Sequence, residues 1–145
     1  MRGFSTYKKE TNMKKFIVIT LMLLTGSIYG QQILTDANFE QAVEGRSAFQ
    51  DDNISIVVVE FWASFNDDNS FEHWDKIEGV KYYRCDIAKA PKAKKKHKVR
   101  TIPHIIVFKD GFDEIHFKAG LDFTISESLE DIQKEINELL NESKF

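Results

Sequence analysis

The 145-residue chain has one cysteine, Cys85, and that scarcity excludes a good deal. No disulfide can close within one molecule, and no dithiol can cycle with its own disulfide. A thiolate zinc site is excluded as well, because such sites gather several sulfur or imidazole ligands. No internal repeat and no low-complexity tract interrupts the chain. Long apolar runs are scarce: Phe16 to Leu24 supplies about nine strongly apolar residues, against the roughly 20 a helix needs to cross a bilayer. Excess positive charge is lacking too. The chain holds 20 basic and 23 acidic residues, of which residues 1–30 hold five and one, so residues 31–145 carry 15 minus 22, or −7. That balance repels phosphate backbones, and nucleic acid is not an expected partner.

The short apolar run is preceded by Lys14 and Lys15 and followed by Thr25, Gly26, Ser27 and Gly30, the layout of a secretory signal peptide. Cleavage is expected after Gly30. Met13 directly before the lysines offers a second possible start, with Met1 to Asn12 then outside the protein. Two segments follow: residues 1–30 as N-terminal extension and signal peptide, and residues 31–145 as one domain of a size that supports one core. The expected destination is the periplasm or the cell exterior, with no stable membrane anchor after cleavage.

Periodicity orders the elements of residues 31–145. Thr35 is placed to cap a short helix with Phe39, Ala42 and Val43 on one face. Ile54 to Phe61 is apolar on both alternating faces, which marks a central strand covered on both sides. Ser64 to Ser70 is polar and reads as a loop, after which Phe71, Trp74 and Ile77 at three-residue spacing predict a helix. Val80 to Ile87 reads as a strand, Ala88 to Lys98 as a short basic helix, and Ile105 to Lys109 as a strand. Asp110-Gly111 signals a hairpin, with Glu114 to Ala119 returning antiparallel. A last helix starts at Ser126 or Ser128 and buries Leu129, Ile132, Ile136, Leu139 and Leu140. The order α, β, α, β, α, β, β, α predicts an α/β domain, a mixed sheet with helices on its faces.

Three segments in that order resemble the thioredoxin superfamily. Val57-Val58-Val59-Glu60-Phe61-Trp62-Ala63 looks like the family's central strand entering its active-site loop. Ala90-Pro91 and Val99-Arg100-Thr101-Ile102-Pro103 look like the approach to its cis-proline, and Ile105 to Gly111 like the strand and hairpin beyond. The resemblance implies a thioredoxin-like fold and a cis bond before Pro103. It also places the two cysteines of the family's Cys-x-x-Cys motif at Asn66 and Asn69, around Asp67-Asp68. An amide is not a nucleophilic thiolate, so the family's redox activity does not carry over. No catalytic residue, cofactor or metal is assigned.

What the resemblance leaves in place is a surface where an extended peptide pairs with the backbone before the proline. Its expected residues are Trp62, Phe65, Asn66, Asp67, Asp68, Asn69, Thr101, Ile102, Pro103 and His104, and its expected occupant is a protein or extended peptide. Asp67 and Asp68 either cap the following helix or hold a cationic group, and His73 and His104 are the weaker prospect of metal ligands beside them. Glu60 lies inside an apolar strand and needs a partner there, and by the resemblance that partner is Arg84. Lys92, Lys94, Lys95, Lys96, Lys98 and Arg100 read as a solvated helix face or as a site for an acidic partner. Cys85 reads as a buried small hydrophobe, and the alternative function is thiol chemistry through that lone residue or with a partner's thiols. A purely structural subunit is a third possibility.

Overall fold

In the computed structural model, residues 32–44 and 56–142 are described; the expected leader, its cleavage point at Gly30, and Ile54 and Ser55 of the expected central strand lie outside them. β2 (Ile56–Trp62) is buried along almost its whole length. Val57, Val59 and Phe61 face one core cluster, and Ile56 and Val58 the other. A strand covered on both faces must sit inside a sheet, and the order is β1-β3-β2-β4-β5. β3 (Lys81–Asp86) runs parallel to β2, with Glu60 opposite Arg84 and Phe61 opposite Cys85. β4 (His104–Lys109) runs antiparallel to β2, and β5 (Phe112–Lys118) antiparallel to β4. Asp110 and Gly111 turn between them with φ of 52° and 85°, the left-handed pair that a two-residue hairpin requires. A two-residue strand, β1 (Ile33–Leu34), pairs with β3 and is too short to betray itself by alternation.

Helices cover the two faces with different residues. α1 (Phe39–Val43) and α2 (Pro91–Lys96) supply Phe39, Val43 and Ala93 to the cluster of Phe61, Cys85, Ile106 and Phe108. α3 (Leu129–Glu142) lays Ile132, Ile136 and Leu139 on Ile56, Val58, Ile105 and Val107. Of the two serines that could start α3, Ser128 does so. Its hydroxyl accepts the Asp131 N–H at 3.2 Å, while the Asp131 carboxylate accepts the Ser128 N–H at 3.1 Å, a reciprocal cap. The N-cap of α1 is Asn38 and not Thr35; the two are tied by the Asn38 carbonyl Oδ1 accepting the Thr35 N–H at 2.7 Å. α2 is shorter than expected. It begins at Pro91, whose missing N–H is no loss there, and Asp36 accepts the free N–H groups of Lys92 and Ala93 from across the chain.

The helix expected from Phe71, Trp74 and Ile77 is absent. Ser70 and Ile77 are both extended, and between them only Trp74–Lys76 makes a 3-10 turn. The physical reason lies at Phe71, whose N–H donates to the buried Glu60 carboxylate at 2.9 Å. Trp74 instead rests on Tyr82, ring centroids 5.9 Å apart, and Ile77 is buried against the α3 side.

A polar chain crosses the face that carries α1 and α2. His104 Nε2 and His116 Nδ1 are hydrogen-bonded at 2.9 Å, and the other nitrogen of His116 faces Asp113 at 3.4 Å. Asp113 also faces His97, at 3.6 Å. Burial, then the nearby His116 and Lys118, push His104 down to about 4 from an ordinary 6.5. The unfolded chain therefore takes up the His104 proton first as pH falls, and stability is lost from pH 6.5 down to about 4, by about 3 kcal/mol in all. Unfolding by urea at a series of pH values should show this decline, and His104→Gln should flatten it. An unchanged slope in the variant would contradict the burial of a neutral His104.

Candidate functional site

β2 delivers the chain at Trp62 into a loop whose backbone is extended at Ala63 and then makes a tight 3-10 path from Ser64 to Asn69, broken at Asn66 (φ −121°, ψ 27°). The expected loop is this short turn, and the helix expected to follow it is absent. Asp67 and Asp68 accordingly cap nothing: no side chain caps the turn, and Asp67 bonds Arg84 at 2.9 Å. Asp68 is exposed.

Asn66 is the junction of the site. Its amide nitrogen donates to the carbonyl of Ile102 at 3.2 Å and to that of Phe123 at 3.4 Å, so one side chain ties the loop after β2 to the turn before β4 and to the loop after β5. Its amide oxygen accepts from Asn69 Nδ2 at 2.7 Å. The two positions to which the resemblance gives thiols are therefore joined by an amide hydrogen bond. The Ile102–Pro103 bond is cis, as expected. Thr101 is exposed, whereas Ile102 and Pro103 are buried, the carbonyl of Pro103 accepting the Ala119 N–H at 3.0 Å.

Below the loop sits a buried carboxylate. Glu60 is fully buried, and burial raises its pKa; the Phe71 N–H, the Arg84 charge and the Tyr82 hydroxyl each pull it back. Tyr82 donates to it at 3.2 Å. The expected partnership with Arg84 is present as a charge contact, Nε to Oε2 at 3.4 Å, but Arg84 Nε makes no hydrogen bond. The guanidinium spends its directed bonding on Asp67 and lies over the Trp62 ring, 4.0 Å from the centroid. Desolvated by that ring, such a cation–π contact is worth about 1 to 2 kcal/mol. Trp62 is half-buried, and its indole N–H is buried without a partner among the described residues.

The remaining expected residues separate. Phe65, within the turn, stands 78% exposed. His104 is not: it is 1% exposed, its backbone is paired with β2 and β5, and its ring bonds His116, so it lies inside the sheet and not on the expected surface. His73 packs edge-on against Phe71, and among the described residues no group of three His, Cys, Asp or Glu side chains could hold a metal ion. Cys85 is wholly buried, and burial followed by Asp36 and Asp86 pushes its thiol up to about 12. One participant was missed in the sequence: Phe123, whose side chain is exposed and whose backbone, with φ of 59°, brings its carbonyl to Asn66 from 57 residues away. The only signal it gave was an aromatic in a polar loop.

With this geometry, the solved structures that the chain resembles share one architecture. A designed protein aligns with a TM-score of 0.57 at 16% identity, over 76% of this chain and 97% of its own. Thioredoxin of Plasmodium falciparum aligns at 0.50 and 14% identity, over 77% and 97%. A structure from work on how the yeast mitochondrial 1-Cys peroxiredoxin is resolved through glutathione and thioredoxin systems aligns at 0.52 and 16%, over 75% and 95%. No protein-family model and no curated protein matches the chain by sequence. The fold is thioredoxin-like, an α/β domain with a mixed five-stranded sheet between helices.

The Glu60 contacts lead to a thermodynamic test. At pH 8, Arg84→Met should cost about 3 kcal/mol by leaving the Glu60 carboxylate buried without a cation. Glu60→Gln combined with Arg84→Met should recover most of that, because the uncharged amide keeps one oxygen to accept from Phe71 and an NH2 to donate to the Tyr82 hydroxyl. Equilibrium unfolding of the four proteins of the cycle measures it. Additive losses would mean the two charges are not coupled.

Proposed function

We propose that the chain is an exported thioredoxin-like module that binds an extended peptide or protein segment and performs no thiol–disulfide exchange of its own. The observation that carries this reading is the Asn66–Asn69 pair, bonded at 2.7 Å where redox relatives would hold thiols, while the one cysteine is buried and its thiol pushed up to about 12. A thiol with that pKa is essentially all protonated at neutral pH and is a poor nucleophile. What faces outward supports binding instead. Phe65, adjacent to Asn66 in the chain, and Phe123, whose carbonyl accepts from Asn66, both expose aromatic rings, and exposed aromatics suit a peptide's side-chain anchors. The Ile102 carbonyl already accepts from Asn66 but keeps a second lone pair for a partner. Export to the periplasm or outside the cell rests on the leader in residues 14–30. The acidic balance of residues 31–145 argues for protein and against nucleic acid as the occupant.

Two measurements test this. The purified chain should not accelerate insulin reduction by dithiothreitol above the uncatalysed rate; turnover that disappears in Cys85→Ser would overturn the reading. Decapeptides selected on the protein by phage display should lose about tenfold or more in affinity, roughly 1.4 kcal/mol, for Phe65→Ser and Phe123→Ser, and nothing for Lys134→Glu on the outer face of α3. Equal binding by all three would place the surface elsewhere.

A further inference from the structure

A basic cavity lies directly upstream of the cis-proline turn in the chain. Pro91, Lys94, Lys95, Lys98, Val99 and Arg100 line a shallow cavity of about 470 Å³. Four of the six are cations, and no carboxylate lines it. Lys96, on the same helix, is compensated by Glu40 at 2.7 Å. Among the described residues, Lys94, Lys95, Lys98 and Arg100 have no ion-pair partner. Residues 91–100 hold six basic and no acidic side chains, so the rest of residues 31–145 carry 9 minus 22, or −13. In a domain with that many carboxylates, four neighbouring cations left uncompensated repel one another and focus a positive potential on the cavity. Val99 is buried and gives the cavity an apolar floor.

We propose that this cavity receives acidic side chains of the same extended segment that pairs at the turn. This rests on the peptide-binding reading above and deepens it. The basis for a peptide is continuity: Arg100 adjoins Thr101, so a strand lying against the turn continues over Arg100 and Lys98 within one or two residues, at about 3.3 Å per residue. Carboxylates at that distance meet Lys94, Lys95 and Lys98, and Arg100 can take one in a bidentate fork. A long phosphate backbone would also meet the acidic remainder, whereas a short acidic segment touches the patch alone.

The test uses a fluorescein-labelled octaglutamate peptide titrated into the full chain and read by fluorescence anisotropy. Binding is expected to weaken at least about fivefold between roughly 50 and 200 mM salt, as exposed ion pairs are screened. Lys94→Glu, Lys95→Glu, Lys98→Glu together should abolish it, and the neutral triple change to Gln should weaken it about tenfold or more, with circular dichroism unchanged in both. Phe65→Ser should leave octaglutamate binding intact, which separates this proposal from the aromatic surface beside it. Absence of binding, binding indifferent to both triple variants, or displacement by micromolar inorganic pyrophosphate would overturn it, the last by identifying a phosphate site. Loss of the selected decapeptides in Phe65→Ser alongside octaglutamate binding indifferent to the lysines would sink this inference and leave the first reading standing.

Discussion

The rest of the site depends on one buried carboxylate. Glu60 lies in the middle of the central strand, where a desolvated acid would be unfavourable by several kcal/mol without partners. Its partners come from two neighbouring elements: the N–H of Phe71 from the loop beyond the site, and the hydroxyl of Tyr82 and the charge of Arg84 from the adjacent strand. Arg84 then reaches outward, bonding Asp67 in the loop and covering Trp62. The loop from Ala63 to Phe71 is thus held at its end by Glu60 and in its middle by the residue that Glu60 holds.

That anchoring explains how the loop is ordered without a regular helix. A regular helix would satisfy the loop's backbone groups internally. Here the chain makes only short 3-10 turns, with poorer hydrogen-bond geometry, and side chains supply the order instead. Asn66 does at the surface what Glu60 does below, tying three loops together through its amide. Small polar groups with fixed partners order the loop, while the aromatic rings of Phe65 and Phe123 stand in solvent.

Much of this was legible in the sequence because it depends on local pattern. The doubly apolar β2, the Asp110-Gly111 turn and the apolar stripe of α3 each follow from spacing, and the Glu60–Arg84 contact from the cost of an unpaired acid together with family resemblance. The misreadings arose where a tertiary contact overrode a local signal. Three-residue spacing of Phe71, Trp74 and Ile77 fits a helix, but a carboxylate eleven residues back claims the N–H of Phe71. His104 follows the exposed turn in sequence and yet turns its ring inward to His116, which only strand pairing could reveal. Phe123 reaches Asn66 across 57 residues of chain, a distance no periodicity encodes.

The hydrogen bond from Phe71 to Glu60 is the most direct point at which to test this account, by amide hydrogen exchange followed residue by residue by NMR in the parent chain and in Glu60→Met. In the parent, the Phe71 amide should be protected to an extent comparable with the amides of β2, unlike its neighbours Glu72 and His73. In Glu60→Met that protection should vanish while the amides of β4 and β5 keep theirs. A Phe71 amide that already exchanges in the parent at the rate of an open loop would contradict the claim that the buried carboxylate holds the site in place.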